Sequence, residues 1–345
     1  MPPIQKKSRF KFFNRAQFAR KTPLRKFELV ARAPLPLPPH PAVWDWRNGI
    51  DLPLLGNDTV GDCFYASACH LVQVWTGQHG LATAFDRDAV VARYKVISGG
   101  DNGLGDDQIF PEFKSGIVGP NGPHSIFDEL TVDPNDLDLV DKAIYFGVGT
   151  FFTASLADAW IKDPQPGDLW DVAPPNLENG HAMVITGKTP EGYYNVQTWG
   201  FDKPIRLTPK ALQGCNPEIV VCVAKDQFAA NGYTPSGIYY TQAQTYWQSY
   251  GGITLPDLSY PPPPGPAPAP VPVVPPTPSP APAPPAPTPA PSPVTTGQLT
   301  AHDLCVRVQS AMYSHAKLTL LDRDTATAVA ATVIHQNWTN LTAPN

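Results

Sequence analysis

The chain has 345 residues, enough for one large domain or two ordinary ones, and its hydrophobic fraction of 42% is that of a globular protein. Residues 1–32 hold ten Lys or Arg and one acid, Glu28, a net +9 that leaves −14 on the rest of a chain totalling −5. Five scattered cysteines without a CxxC pair argue against a zinc site, and no Walker or Rossmann glycine motif is present.

Residues 1–40 read as a basic arm ending in the Pro-rich run PLPLPPHP. Phe10, Phe12, Phe13 and Phe18 interleave with its basic residues. That pattern suits a body-wrapping tail held by charge, or contact with an anionic surface or nucleic acid. The arm lacks the apolar core of a secretory leader, and nowhere does the chain approach the roughly 18 apolar residues of a membrane span.

Residues 41–258 alternate helical and strand-like segments. From Gly61 to Trp75, Phe64, Ala68, Leu71 and Trp75 recur at helical spacing, and Gly77 ends the run. Further helices are expected over Asp86–Ile97, Asp106–Lys114 and Leu137–Phe146, with the acid pairs Asp106-Asp107 and Asp136-Asp138 as helix starts. Strands follow at Val148–Ala154, His181–Thr186, Tyr193–Trp199 and Ile219–Ala224, with the turn KTPEG joining the middle pair. Helices first and strands later predict an α+β fold with a largely antiparallel sheet.

Residues 261–293 contain 19 prolines in 33 positions. Pro fixes its own φ and lacks an amide donor, so an extended polyproline spacer is expected, with a reach of about 100 Å. Residues 294–345 return to mixed composition and read as a small helical tail: Leu304, Val308, Ala311 and Met312 share one face, as do Val329 and Val333. Such a tail suits self-association or attachment.

Cys63 stands at a helix start, directly after Gly61-Asp62, where the helix N-terminus favours a thiolate. Asp58 and Asp62 oppose that with nearby negative charge. His181 opens a strand after Asn179-Gly180, and Gly180 permits close approach of another segment. Two amides complete the set: Asn57, six residues before the cysteine, and Gln197, sixteen after the histidine. A thiol hydrolase needs a sulfur nucleophile, an imidazole, a group orienting that imidazole and a donor for the oxyanion. His124, in GPNGPHS, reads as a loop residue, and Cys69 and His70 as core or surface residues.

At these residues the chain resembles the papain family. NDTVGDCF, GHAMVITG and QTWG stand where that family has its Gln-to-Cys turn, its His-Ala-Val and its Asn-Ser-Trp-Gly, with both spacings kept. VWDWRN, FPEFKSGIVGP and DLVDKAIYFGVGTFFTA extend the likeness over residues 42–228. The chain is also similar to uncharacterised phage and bacterial papain-like proteins with GND…GDC and TWG signatures. The resemblance implies a helical half and an antiparallel β-sheet half with the active site in the cleft between them. It implies Cys63 as nucleophile, His181 as base and acid, Asn57 with the Cys63 amide as oxyanion donors, Gln197 orienting His181, and Trp199 shielding that pair. Asn57 replaces the family's Gln and is one methylene shorter; Gln197 replaces its Asn and is one longer. The expected activity is a cysteine peptidase acting on a peptide or protein through an acyl-thioester without a cofactor, in a cytoplasmic or virion-associated protein. A peptidoglycan-cleaving thiol hydrolase and an inert papain-like binding or structural protein are the alternatives.

Overall fold

The computed structural model describes residues 11–12, 23–28 and 37–261. All lie in the first of two units, Met1–Ala269. The Pro-rich linker beyond 261, the 294–345 tail and Cys305 lie outside the described residues.

In chain order the elements are β1 (Trp44–Asp45), α1 (Cys63–Gly77), α2 (Arg87–Ser98), α3 (Asp106–Ser115), β2 (Ile117–Gly119), β3 (Gly122–His124), β4 (Ile126–Val132), α4 (Leu137–Phe146), β5 (Thr150–Ser155), α5 (Asp158–Ile161), β6 (Leu169–Trp170), β7 (Gly180–Lys188), β8 (Tyr194–Gln197), β9 (Ile205–Leu207), α6 (Pro209–Gly214), β10 (Glu218–Ala224) and α7 (Tyr240–Ser249). The helices expected from periodicity form within two residues of their expected limits. Asp86 and Asp136 act as caps, accepting from the Ala89 and Leu139 amides.

Eight strands form one sheet in the order β4-β10-β5-β7-β8-β9-β6, with β1 added to β7. Every pairing in it is antiparallel except β6 with β9. Helix α1 packs on β7 and β5. It is buried from Cys63 to Trp75 except at Phe64, more completely than a single apolar stripe requires, because it runs through the middle of the core. Trp75 caps that burial with an indole bond to the Gly147 carbonyl at 3.0 Å. The α+β fold is thus a helical half against an antiparallel sheet, with the start of α1 facing the start of β7.

Residues 25–27 of the basic arm cover the edge strand β4. The Phe27 amide donates to the Thr131 carbonyl, and the Thr131 amide donates to the Arg25 carbonyl at 2.8 Å. Arg25 also pairs with the buried Asp128, while Phe27 stacks on Tyr250 with ring centres 4.5 Å apart. An open edge would offer unpaired backbone groups to another chain, and the arm removes part of it.

His124 departs from its expected loop role. It ends β3, is buried, and its Nδ1 pairs with Asp226 at 2.9 Å. A tight hairpin brings it under the core, and the carboxylate satisfies its ring.

Candidate active site

Cys63 is the first residue of α1, 8% exposed and unpaired with any other cysteine. The backbone amides of Ala182, Phe64 and Cys63 itself point at its sulfur. The sulfur therefore lies against β7 one residue from His181, and both residues line a single pocket with Gly61 and Gly180. Burial pushes the thiol up to about 12; the Ala182 amide opposes the shift and Asp62 adds to it. Burial likewise holds the His181 imidazole down to about 3. Thiol and imidazole are therefore both neutral at pH 7 in this state.

His181 Nε2 contacts Thr198 Oγ1 at 2.7 Å, and its Nδ1 has no hydrogen-bond partner. Gln197 does not hold the ring: its Nε2 donates to the Phe201 carbonyl at 3.2 Å. The strand register supplies the reason. Gln197 pairs with Val184, so the two share a face of the sheet. His181 lies three residues from Val184 and points to the other face, as does Thr198. The hydroxyl beside the expected amide takes the position, and sequence reasoning missed it by following family spacing in place of strand alternation.

Trp199 stacks on His181, ring centres 4.8 Å apart and planes 24° from parallel. It holds a left-handed φ of 48°, unusual for a bulky side chain, and Gly200 follows at 63°. A Cβ on Gly200 would stand 2.6 Å from the Leu54 amide nitrogen, so that close approach requires glycine. The strained turn is locked from outside and sets the indole over the imidazole.

Asn57 is buried, and its side-chain oxygen has no partner. It is not among the residues lining the pocket. Asp62 is fully buried with both carboxyl oxygens unpartnered. Burial pushes it up to about 8; its own amide and Arg87 oppose this, Asp101 and Asp58 add to it. The charge expected to oppose the thiolate is thus mostly neutralised by a proton at pH 7. Asp101 accepts from Gly61 N at 2.8 Å, from the Tyr94 hydroxyl at 2.7 Å and from Lys11 of the arm. Phe12 meets the His181 ring edge-on at 5.8 Å and Trp199 at 6.1 Å. Two arm residues thus lie on the site.

No family model and no curated protein matches the chain. Similar solved structures include xylellain, a cysteine protease from Xylella fastidiosa (15% identity, TM-score 0.45, 58% of this chain and 97% of that one). A cysteine protease from Carica candamarcensis in complex with E-64 matches at 15% identity and TM-score 0.43 over 53% of this chain and 99% of its own. The proform of Amb a 11, a cysteine protease and ragweed pollen allergen, matches at 14% and 0.48 over 63% and 76%.

Proposed function

We propose that the chain is a thiol hydrolase of cysteine-peptidase type, with Cys63 as nucleophile and His181 as base. The observation that supports this most is the sulfur at the start of a buried helix lying one residue along β7 from an imidazole whose Nδ1 is unpartnered. His181 Nε2 carries the ring proton and donates to Thr198 Oγ1, which leaves Nδ1 as the acceptor. As sulfur attacks an amide carbonyl, the thiol proton passes to Nδ1. It then passes to the departing amine, leaving an acyl-thioester on Cys63. Water attacks that ester, giving one proton to Nδ1, and the acid leaves as Cys63 recovers its proton. The Cys63 amide is the oxyanion donor, with Asn57, which lies outside the pocket lining, carried to that role by the family resemblance alone; Thr198 is the positioning residue for His181, and Trp199 keeps water from that pair.

A second reading, an inert papain-like binding protein, is favoured by one observation: burial keeps thiol and imidazole neutral with Phe12 over the ring. Trapping the intermediate separates the two. The protein is mixed with an activated peptide ester and quenched in acid. The hydrolase reading expects the acyl mass on the Cys63 peptide, strongly reduced in His181→Ala; no acyl mass on Cys63 supports the inert scaffold.

A further inference from the structure

The hydroxyl and the indole that meet the His181 ring belong to one turn. Thr198 supplies the hydroxyl on Nε2, and Trp199 supplies the stacked indole. The Thr198 carbonyl accepts from the Phe201 amide at 3.2 Å, and the two residues between them stand at φ 48° and 63°. Positive φ at both central positions marks a type I′ turn, which asparagine and glycine adopt readily and tryptophan does not. A tryptophan keeps that conformation only where its surroundings hold it there.

Arg47 reaches the exit of this turn from β1. Its backbone is fixed on the end of β7: Trp44 and Asp45 pair with Lys188 and Gly187, and the Trp46 amide donates to the Thr186 carbonyl at 2.9 Å. The Asp45 carboxylate accepts from the Thr186 hydroxyl at 2.7 Å and from the Arg47 amide at 3.0 Å. From that anchor Arg47 Nη2 donates to the Phe201 carbonyl at 2.7 Å, and Gln197 Nε2 donates to the same oxygen at 3.2 Å. Arg47 is only 6% exposed. Burying a guanidinium is costly, and Asp45, Asp51 and Asp202 offset part of that cost. A hydrogen bond from a charged donor is about twice as strong as a neutral one, so Arg47 holds this carbonyl more firmly than Gln197 does.

We propose that Arg47 is a positioning residue for His181, acting through the turn 198–201. By holding the Phe201 carbonyl it keeps Trp199 and Gly200 in their left-handed form. The turn then keeps the Thr198 hydroxyl on Nε2, which holds the ring proton there and leaves Nδ1 as the acceptor. Without the guanidinium, Trp199 relaxes toward negative φ and draws both the hydroxyl and the indole away from the ring. The inference rests on the hydrolase reading only for what His181 does with Nδ1; the tautomer of the ring is read without turnover.

The test uses the full chain with nitrogen-15 histidine. The His181 ring nitrogens, assigned against His181→Gln, are observed by NMR at pH 7.5, where burial keeps the ring neutral. The native chain should show one tautomer, protonated on Nε2. Arg47→Met and Arg47→Gln should each show two tautomers in exchange, and the His181-dependent labelling of Cys63 by iodoacetamide should fall about tenfold. In a Thr198→Val background, Arg47→Gln should cause no further fall, because the two residues act in one line. An arginine with a merely structural role would lower the melting temperature and leave the tautomer of the folded molecules unchanged, and that result overturns the proposal, as does a native ring protonated on Nδ1. If Arg47→Met does not fold, Arg47→Gln decides. If labelling in the native chain proves indifferent to His181, the hydrolase reading fails, and the tautomer comparison still decides whether Arg47 positions the ring.

Discussion

Asp62 and the buried residues His70 and His181 set opposing pH demands at the residue scale. The Asp62 carboxyl ionises at about 8 in the fold against an ordinary 3.8, with burial as the first cause. Its contribution to stability is complete below about 3.8 and declines as pH rises toward 8, because the unfolded chain releases a proton that the folded chain keeps. His70 and His181 act in the reverse sense. Burial holds them down to about 4 and about 3 against 6.5, so their contribution is present above 6.5 and is lost as pH falls. Asp62→Asn should therefore stabilise the protein more at pH 7.5 than at pH 4.5, by about 2–4 kcal/mol in urea titrations. An equal effect at both pH values would show that Asp62 is ionised in the fold. Cys63 and His181 were legible as a pair because motif spacing survives without coordinates. Thr198 was not, since its place depends on which face of β8 meets His181 and on a tryptophan held at positive φ.

Among the elements, α1 to α4 were legible because their apolar period is a local signal, as are the Asp caps of α2 and α4. β4 and α7 were not. The strand IFDELTV carries Asp128 and Glu129 inside a buried segment, which reads as polar until their partners are known. Asp128 accepts from Trp247 at 2.8 Å and from the Ile253 amide at 3.0 Å in addition to Arg25. α7 contributes Ala243 and Trp247 to the core, yet YTQAQTYWQS lacks an apolar stripe strong enough to announce a helix. Arg25 ties these elements together, since it joins the arm to Asp128 and donates to the Gly251 carbonyl at 2.8 Å. Arg25→Ala should cost about 1–2 kcal/mol, less than a fully buried pair because the guanidinium is half exposed. It should also speed hydrogen exchange at the Thr131 amide, which donates to the arm. Unchanged exchange and stability would show that the arm does not protect this edge.

For the whole molecule, the basic arm and the acidic body are complementary surfaces of one chain. Lys11 meets Asp101, Arg25 meets Asp128, Phe12 meets the rings of His181 and Trp199, and Phe27 stacks on Tyr250. Composition gave the charge contrast but not the landing places, which depend on where the sheet ends and the cleft opens. No helix among the described residues is long and apolar enough to cross a membrane. In the proposed reaction His181 activates the Cys63 sulfur, and the rate of iodoacetamide labelling at pH 7, resolved by peptide mass, in the native chain, His181→Ala and Phe12→Ala reads that activation. Labelling at Cys63 should fall at least about tenfold without the imidazole. It should rise when Phe12 no longer covers the ring. A Cys63 rate indifferent to His181, like that of a thiol merely reached by solvent, would contradict the account.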